Sequence, residues 1–175
     1  MESGVRIRGH FHLDLYDRHG RLIEVVDDPN VILDVGLVAI AMSMSLPSSE
    51  RTLYAIQIGD NGATADPTVP KVVDPIITTA MFHELGDRTN VGFTAVDTDN
   101  AILCQQQFES GDYDDADFLD SGLKYLNEAM LFLGKVGDGV GDWQAFAMRT
   151  YKSVPFAPAD TLTANIKWTI YFERG

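Results

Sequence analysis

Residues 161–172 constrain this chain more than any other stretch. Leu162, Ala164, Ile166, Trp168, Ile170 and Phe172 alternate strictly with Thr161, Thr163, Asn165, Lys167, Thr169 and Tyr171. Period-2 alternation rich in Thr, Ile and aromatics is the pattern of a half-buried antiparallel strand. At ~3.3 Å per residue such a strand runs roughly 40 Å. It needs partners along its whole length, so it is expected in the middle of a sheet. The position of this strand at the end of the sequence predicts an all-β, mainly antiparallel domain closed by its last strand.

Residues 8–16 alternate in the same way, with Phe11, Leu13 and Leu15 against His10, His12, Asp14 and Tyr16. A turn over 17–20, with Gly20 free to take a positive φ, and a returning strand over 21–26 make an N-terminal hairpin. Asp28, Pro29 and Asn30 are expected to break that pattern. Residues 31–45 are the one good helix candidate. Asn30 can cap it, and Leu33, Leu37, Ile40, Ala41 and Met44 fall at helical spacing. Leu46, Pro47, Ser48 and Ser49 stop it.

Strands are expected at 53–58, 101–108, 125–133 and 143–151, with a weaker alternation over 89–96. The stretch 76–85 reads equally as a short helix or an extended arm. The turn 59–62 leads into a long ordered loop over 63–74, and residues 97–100 read as a hairpin turn. Residues 109–120 form an acidic loop and 134–142 a Gly-rich, mobile one. Pro155 and Pro158 bracket the turn into the last strand. The strand at 125–133 is apolar on both faces apart from Asn127 and Glu128, as an internal strand should be. About eight strands, one short helix and long loops predict a jelly-roll-like β-sandwich. It would be a single domain over residues 1–175 with a short N-terminal arm.

Composition narrows the function. With 175 residues, 45% of them hydrophobic, the chain can bury a core of its own. No apolar run reaches the ~18 residues of a membrane helix, and residues 1–6 lack an apolar leader. The single cysteine, Cys104, excludes an intrachain disulfide framework and a multi-cysteine zinc site. Synthesis and assembly in a reducing cytoplasm are therefore expected. A net charge of −13 repels phosphate backbones, so neither nucleic acid nor membrane is an expected partner. Acidity of this size gives solubility; in its sharper reading, one face seeks a basic partner or metal ions.

Few residues point to chemistry. His10 and His12 place two imidazoles on one strand face, a pair able to ligate a metal. With Gly4 upstream they echo the first half of a cupin metal motif, but its glutamate is missing, although Asp17 is near. Surface histidines on an N-terminal strand are the plainer reading. Glu109, Asp112, Asp114, Asp115, Asp117 and Asp120 do not follow the EF-hand spacing and read as a solvated loop. Tyr113 and Phe118 within that tract are expected to be exposed and to mark a contact surface. The turn Gly59-Asp-Asn-Gly62 lacks the lysine and spacing of a phosphate loop. Cys104 reads as buried packing, and there is no G-x-S-x-G elbow. No residue is assigned a catalytic, cofactor-binding or metal-ligating role, and the chain is expected to be non-enzymatic.

The order of short motifs adds a resemblance. Asn30-x-x-x-Asp34-x-Gly36-Leu37 leads into the helix. Tyr54-Ala-Ile-Gln-Ile-Gly59-Asp-Asn-Gly62 is a strand and turn, and Met81-Phe-His-Glu84-Leu85 follows a Thr/Pro loop. Then come Leu126-Asn-Glu128-Ala129-x-Leu131-Phe132, Ala147-Met-Arg149-Thr150-Tyr-Lys152 and the closing Asp160 to Phe172. Over residues 30–172 this order resembles a class of tailed-bacteriophage virion proteins, with Met130 standing where their pattern has glycine.

The resemblance implies a non-enzymatic structural protein with a jelly-roll-like fold, on the outer surface of the virion and made in the host cytoplasm. Its first form is a capsid decoration, or cement, protein. Such a protein assembles as a homo-oligomer, expected to be a trimer, and bridges major capsid protein subunits. Residues 1–8, 63–75 and 109–120 are then the expected contact elements. A neck, collar, tail or fibre-attachment protein is the alternative, and a cupin-like metalloenzyme using His10 and His12 is a third.

Overall fold

The computed structural model describes residues 5–45, 51–75, 82–85, 93–98, 100–119, 122–135 and 142–174. Its strands are β1 (Val5–Tyr16), β2 (Leu22–Ile32), β3 (Thr52–Gly59), β4 (Thr94–Thr98), β5 (Ala101–Glu109), β6 (Tyr125–Gly134), β7 (Gln144–Pro155) and β8 (Thr163–Arg174). One helix, α1 (Asp34–Ser45), follows β2. The eight strands form one nearly closed sheet in the order β3-β6-β7-β2-β1-β8-β5-β4, antiparallel at every pairing. A side chain bridges the remaining gap: Gln106 Oε1 on β5 accepts from the Ile56 N–H on β3 at 3.0 Å.

The alternation in the closing strand acts as expected. β8 lies between β1 and β5, and Ala164, Ile166, Trp168 and Ile170 are fully buried. The Phe11 ring of β1 meets its register partner Trp168 on the adjacent β8 edge-on at 5.1 Å and stacks on Tyr151 of β7 at 5.4 Å. These three aromatics tie β1 and β8 to β7. β6 is internal, flanked by β3 and β7 along its length.

Asp28, Pro29 and Asn30 do not break the N-terminal hairpin. β2 runs on through them to Ile32, pairing with β1 as far as Gly9 opposite Asn30. The Pro29 carbonyl faces β7, where Arg149 Nη1 donates to it at 2.9 Å. The N–H that proline lacks therefore falls on that side too and removes no bond to β1. After Asn30 the strand changes partner, and Val31 and Ile32 pair with Met148 and Ala147 of β7. Below this fork β2 and β7 diverge, bridged by Arg149–Asp28 at 2.8 Å and Lys152–Glu24 at 2.7 Å.

The helix therefore starts at Asp34, and Asn30 is a strand residue rather than its cap. The face that docks also differs from the expected one. Leu33, Gly36 and Ala39 are buried, whereas Leu37 and Ala41 are exposed. A Cβ on Gly36 would lie 2.5 Å from the Phe146 carbonyl oxygen, so this residue lets the helix backbone approach β7 closely. Val38 and Met42 are left outside, 56% and 50% exposed. Gly36→Ala is expected to force helix and strand apart and to cost about 1–3 kcal/mol. Urea unfolding measures this directly, and an unchanged midpoint would contradict the close approach.

The acidic loop is folded rather than open. Two 3-10 turns, Ser110–Asp112 and Asp115–Asp117, carry it back onto the sheet. Tyr113 and Phe118 are buried, against the expectation that they are exposed contact residues, and Tyr113 packs on Phe156 at 5.9 Å. The carboxylates face outward in their place. β4 runs to Thr98, into the expected 97–100 turn, and Asn100 takes the left-handed φ of 62°; Asp99 lies outside the described residues. The helix stop at 46–49, residues 76–81 and 89–92, Asp120, and residues 136–141 of the Gly-rich loop lie outside the described residues, as does the side chain of Met44.

Candidate functional site

Two polar residues interrupt the apolar strand β6, and burial obliges them to find partners. Glu128 is fully buried, and its Oε1 accepts two backbone N–H groups, from Asn61 at 2.9 Å and from His83 at 2.8 Å. Asn127 Oδ1 accepts the Gly62 N–H at 2.6 Å, and its amide donates to Ser153 Oγ at 3.2 Å. Only glycine fits at 62, because a Cβ there would run into the Asn127 backbone. The turn after β3 and the short segment 82–85 are thus pinned onto β6 from two directions. Glu84 bridges to Gly59, and the Leu85 N–H donates to Ile58 O at 3.0 Å.

Asp60 extends the tie outward. Its Oδ1 lies 2.7 Å from His83 Nδ1, and its Oδ2 accepts the Leu119 N–H at 2.7 Å, which holds the end of the acidic loop. Lys71 Nζ donates to Asn61 O at 2.5 Å and to Asn61 Oδ1 at 2.6 Å. Tyr151 OH donates to the Glu128 carbonyl at 3.3 Å and so joins the tie to the aromatic core. Six separate stretches of chain meet here: 59–62, 71, 83–85, 119, 127–128 and 151–153.

The electrostatics of Glu128 are unusual. Burial pushes its carboxyl up to about 7, against the two backbone N–H groups that lower it; the nearby Asp60 raises it further and Lys71 lowers it. Its second oxygen, Oε2, is buried with no hydrogen-bond partner. Charge on this group is therefore costly near neutral pH. A buried carboxyl beside an Asp–His pair has two of the parts of a proton-transfer site. The third part is missing: among the described residues no hydroxyl or thiol is hydrogen-bonded to His83. The adjoining cleft, lined by Asp60, Thr64, Pro67, Tyr125, Asn127 and Ser153, holds only about 210 Å³. That is below the ~300 Å³ at which small-molecule pockets begin. What the described bonds do is fasten loops onto β6.

The histidine pair lies elsewhere, on the outward face of β1. His12 Nδ1 is 3.0 Å from Asp27 and Nε2 is 2.9 Å from Asp14, while His10 Nε2 is 3.6 Å from Asp27. Partial burial opposes the His12 charge, but the bonds to Asp27 and Asp14 outweigh it and raise the pKa above 6.5. With a carboxylate on each ring nitrogen, His12 is half of a cross-strand ion pair. Among the described residues no group of three or more His, Cys, Asp or Glu side chains is set to hold a metal ion. Cys104 is fully buried, and burial pushes its thiol up to about 12. Its alkylation by iodoacetamide should be negligible in the folded protein and fast in urea; rapid native-state labelling would contradict its burial.

The sequence marks Asn127 and Glu128 as exceptions on an apolar strand and Gly59-Asp-Asn-Gly62 as a turn that fails as a phosphate loop; both stretches also belong to motifs of the resemblance, but nothing in the sequence joins them. The available signal was the pair of polar residues in an internal strand, which demands donors from some other turn. The architecture defines a mostly antiparallel β protein with a buried polar tie at one end of its sheet. Among the described residues no helix is long and apolar enough to cross a membrane. A scan against protein-family models, a search of the curated proteins and a search of the solved structures found no match to this chain.

Proposed function

We propose that this chain is a non-enzymatic structural protein of a tailed-bacteriophage virion, and specifically a capsid decoration protein that binds the outside of the shell. One observation carries the reading. Three of the short motifs behind the resemblance, Gly59-Asp-Asn-Gly62, His83-Glu84-Leu85 and Asn127-Glu128, meet in a single buried tie although they lie far apart in the sequence. Motifs that recur in a set order because they hold a scaffold together are expected to converge in this way. Residues kept for chemistry would converge on an open pocket.

In this reading the sheet is a jelly-roll-like sandwich, its two walls dividing where β2 leaves β1 for β7. Adhesion is the mechanism. A homo-oligomer, a trimer in the simplest form, repeats each contact with the major capsid protein by symmetry, and each contact buries on the order of 1,000 Å² or more. The strongly acidic surface suits a protein that coats a shell without binding the DNA inside. Residues 63–75 and the outward carboxylates of 109–119 remain the proposed shell contacts. Sedimentation of the purified protein with expanded heads tests the reading: saturable co-sedimentation supports it, and protein left in the supernatant at every ratio overturns it.

A further inference from the structure

The fork between β1 and β2 leaves part of a sheet edge open. Residues 5–8 pair with Arg174 to Tyr171 of β8 on one side. On the other side β2 reaches only as far as Gly9 before it leaves for β7, and no described residue pairs with 5–8 there. Alternate residues of an antiparallel strand direct both their N–H and C=O groups to one side, so the main-chain donors and acceptors on this edge meet no partner strand among the described residues. A groove of about 880 Å³ runs along it, with Ile7, Ile32 and Leu37 as its apolar wall and Arg6, Arg8 and His10 as its polar side. No carboxylate lines the groove. Arg8 is paired with Glu173, and Arg6 stands opposite the same carboxylate across the strands.

A second open edge lies at the far side of the same four strands. Across β1-β8-β5-β4, Arg8 is level with Tyr171, Ala101 and Thr98. Among the described residues β4 pairs with β5 alone; all five of its residues are exposed, and Asp97 is its only charged residue. Long exposed edges invite pairing with another chain, and proteins commonly guard them with lysine or proline. Neither residue type occurs in β4 or in residues 5–8.

We propose that these two edges join copies of this chain head to tail, with β4 of one copy laid into the groove beside residues 5–8 of the next. This rests on the homo-oligomeric part of the proposed function and names the surfaces that build it. Strand direction supports the match. β1 and β4 are antiparallel within one copy, because two intervening strands separate them. Placing copies side by side around an axis along the strands therefore sets β4 antiparallel to the neighbour's β1, the pairing open sheets favour. In a chain of net charge −13, a groove without carboxylates that receives a strand bearing one aspartate is also a place where two copies repel least. The joint would cover Leu37 of the groove wall and the half-exposed Val96 of β4. Since the two edges differ, the contact is heterologous and closes into a ring or winds into a tube.

Because β4 is level with residues 8–12 and the open edge covers 5–8, neighbours are offset by about four residues, roughly 13 Å along the strands; a closed ring therefore has its strands tilted from the axis, and strands parallel to the axis wind into a tube.

Sedimentation velocity on the full chain tests the proposal, using Val5→Lys on the groove edge and Val96→Lys on β4. Both positions are largely exposed, so the fold should survive, as circular dichroism checks. The wild type should assemble, and each variant alone should be monomeric at the same concentration. Mixing the two should restore a dimer and nothing larger, because Val96→Lys keeps an intact groove and Val5→Lys keeps an intact β4. A monomeric wild type, an oligomer indifferent to either lysine, or a mixture that stays monomeric would each overturn the proposal. If the wild type does not assemble through these edges yet binds heads, this proposal alone fails; if it assembles through them yet ignores heads, the virion reading fails.

Discussion

Trp168→Ala is expected to cost about 3–5 kcal/mol and to leave the protein marginal at best. Trp168 is fully buried on the central strand β8 and touches the Phe11 ring edge-on at 5.1 Å. Phe11 in turn stacks on Tyr151, so truncating the indole removes one member of the only aromatic chain described between β8 and β7. The cost combines lost transfer energy with a cavity that rigid neighbouring strands cannot close. Trp168→Phe keeps most of the volume and should cost less, all the more because the indole Nε1 has no hydrogen-bond partner to lose. Chemical denaturation of the three proteins measures both differences. A loss below about 1 kcal/mol for alanine would place Trp168 outside the core.

Glu128 carries the second large effect, and its sign depends on pH. A folded-state pKa of about 7, raised from 4.5, means that folding favours the protonated form. The associated stability is fully present below about pH 4.5 and is lost as pH rises through about 7, a change of roughly 3 kcal/mol. His12, also raised, loses its smaller contribution in the same direction. Glu128→Gln keeps an acceptor for the Asn61 and His83 N–H groups but cannot ionise. Its stability should match the wild type near pH 5 and exceed it at pH 8. Glu128→Ala strands both N–H groups in the interior and should cost about 2–4 kcal/mol at pH 5. Urea midpoints of the three proteins from pH 5 to 8 read out both effects. A wild type and Gln variant that run parallel across that range would show that the carboxyl is not strained by burial.

Strand positions were legible in this sequence wherever one face is buried and the other is wet. β1 and β8 announce themselves because Phe11, Leu13, Leu15, Ile166, Trp168 and Ile170 all point to one core. The errors came where tertiary contacts outvote local pattern. Pro29 looks like a breaker, yet its missing N–H lies on the diverging side of β2 and goes unnoticed. In α1 nearly every residue is apolar, so spacing alone cannot choose a face. The choice falls to Gly36 and Ala39, whose small size lets the backbone meet Phe146. Tyr113 and Phe118 sit among carboxylates and read as exposed, but two 3-10 turns swing the rings inward and the charges outward. The tie around Glu128 is only half legible, for a different reason. Its partners are backbone N–H groups of distant turns, and backbone groups leave no mark on composition.

A scaffold whose turns are pinned onto β6 by buried bonds, and whose edges at residues 5–8 and 94–98 pair with no further described strand, is suited to lateral assembly on a larger surface. Antibody labelling of intact virions tests that account most directly. Signal distributed over the whole shell is the predicted result. Signal confined to one vertex or to the tail, or no signal on particles at all, would contradict it.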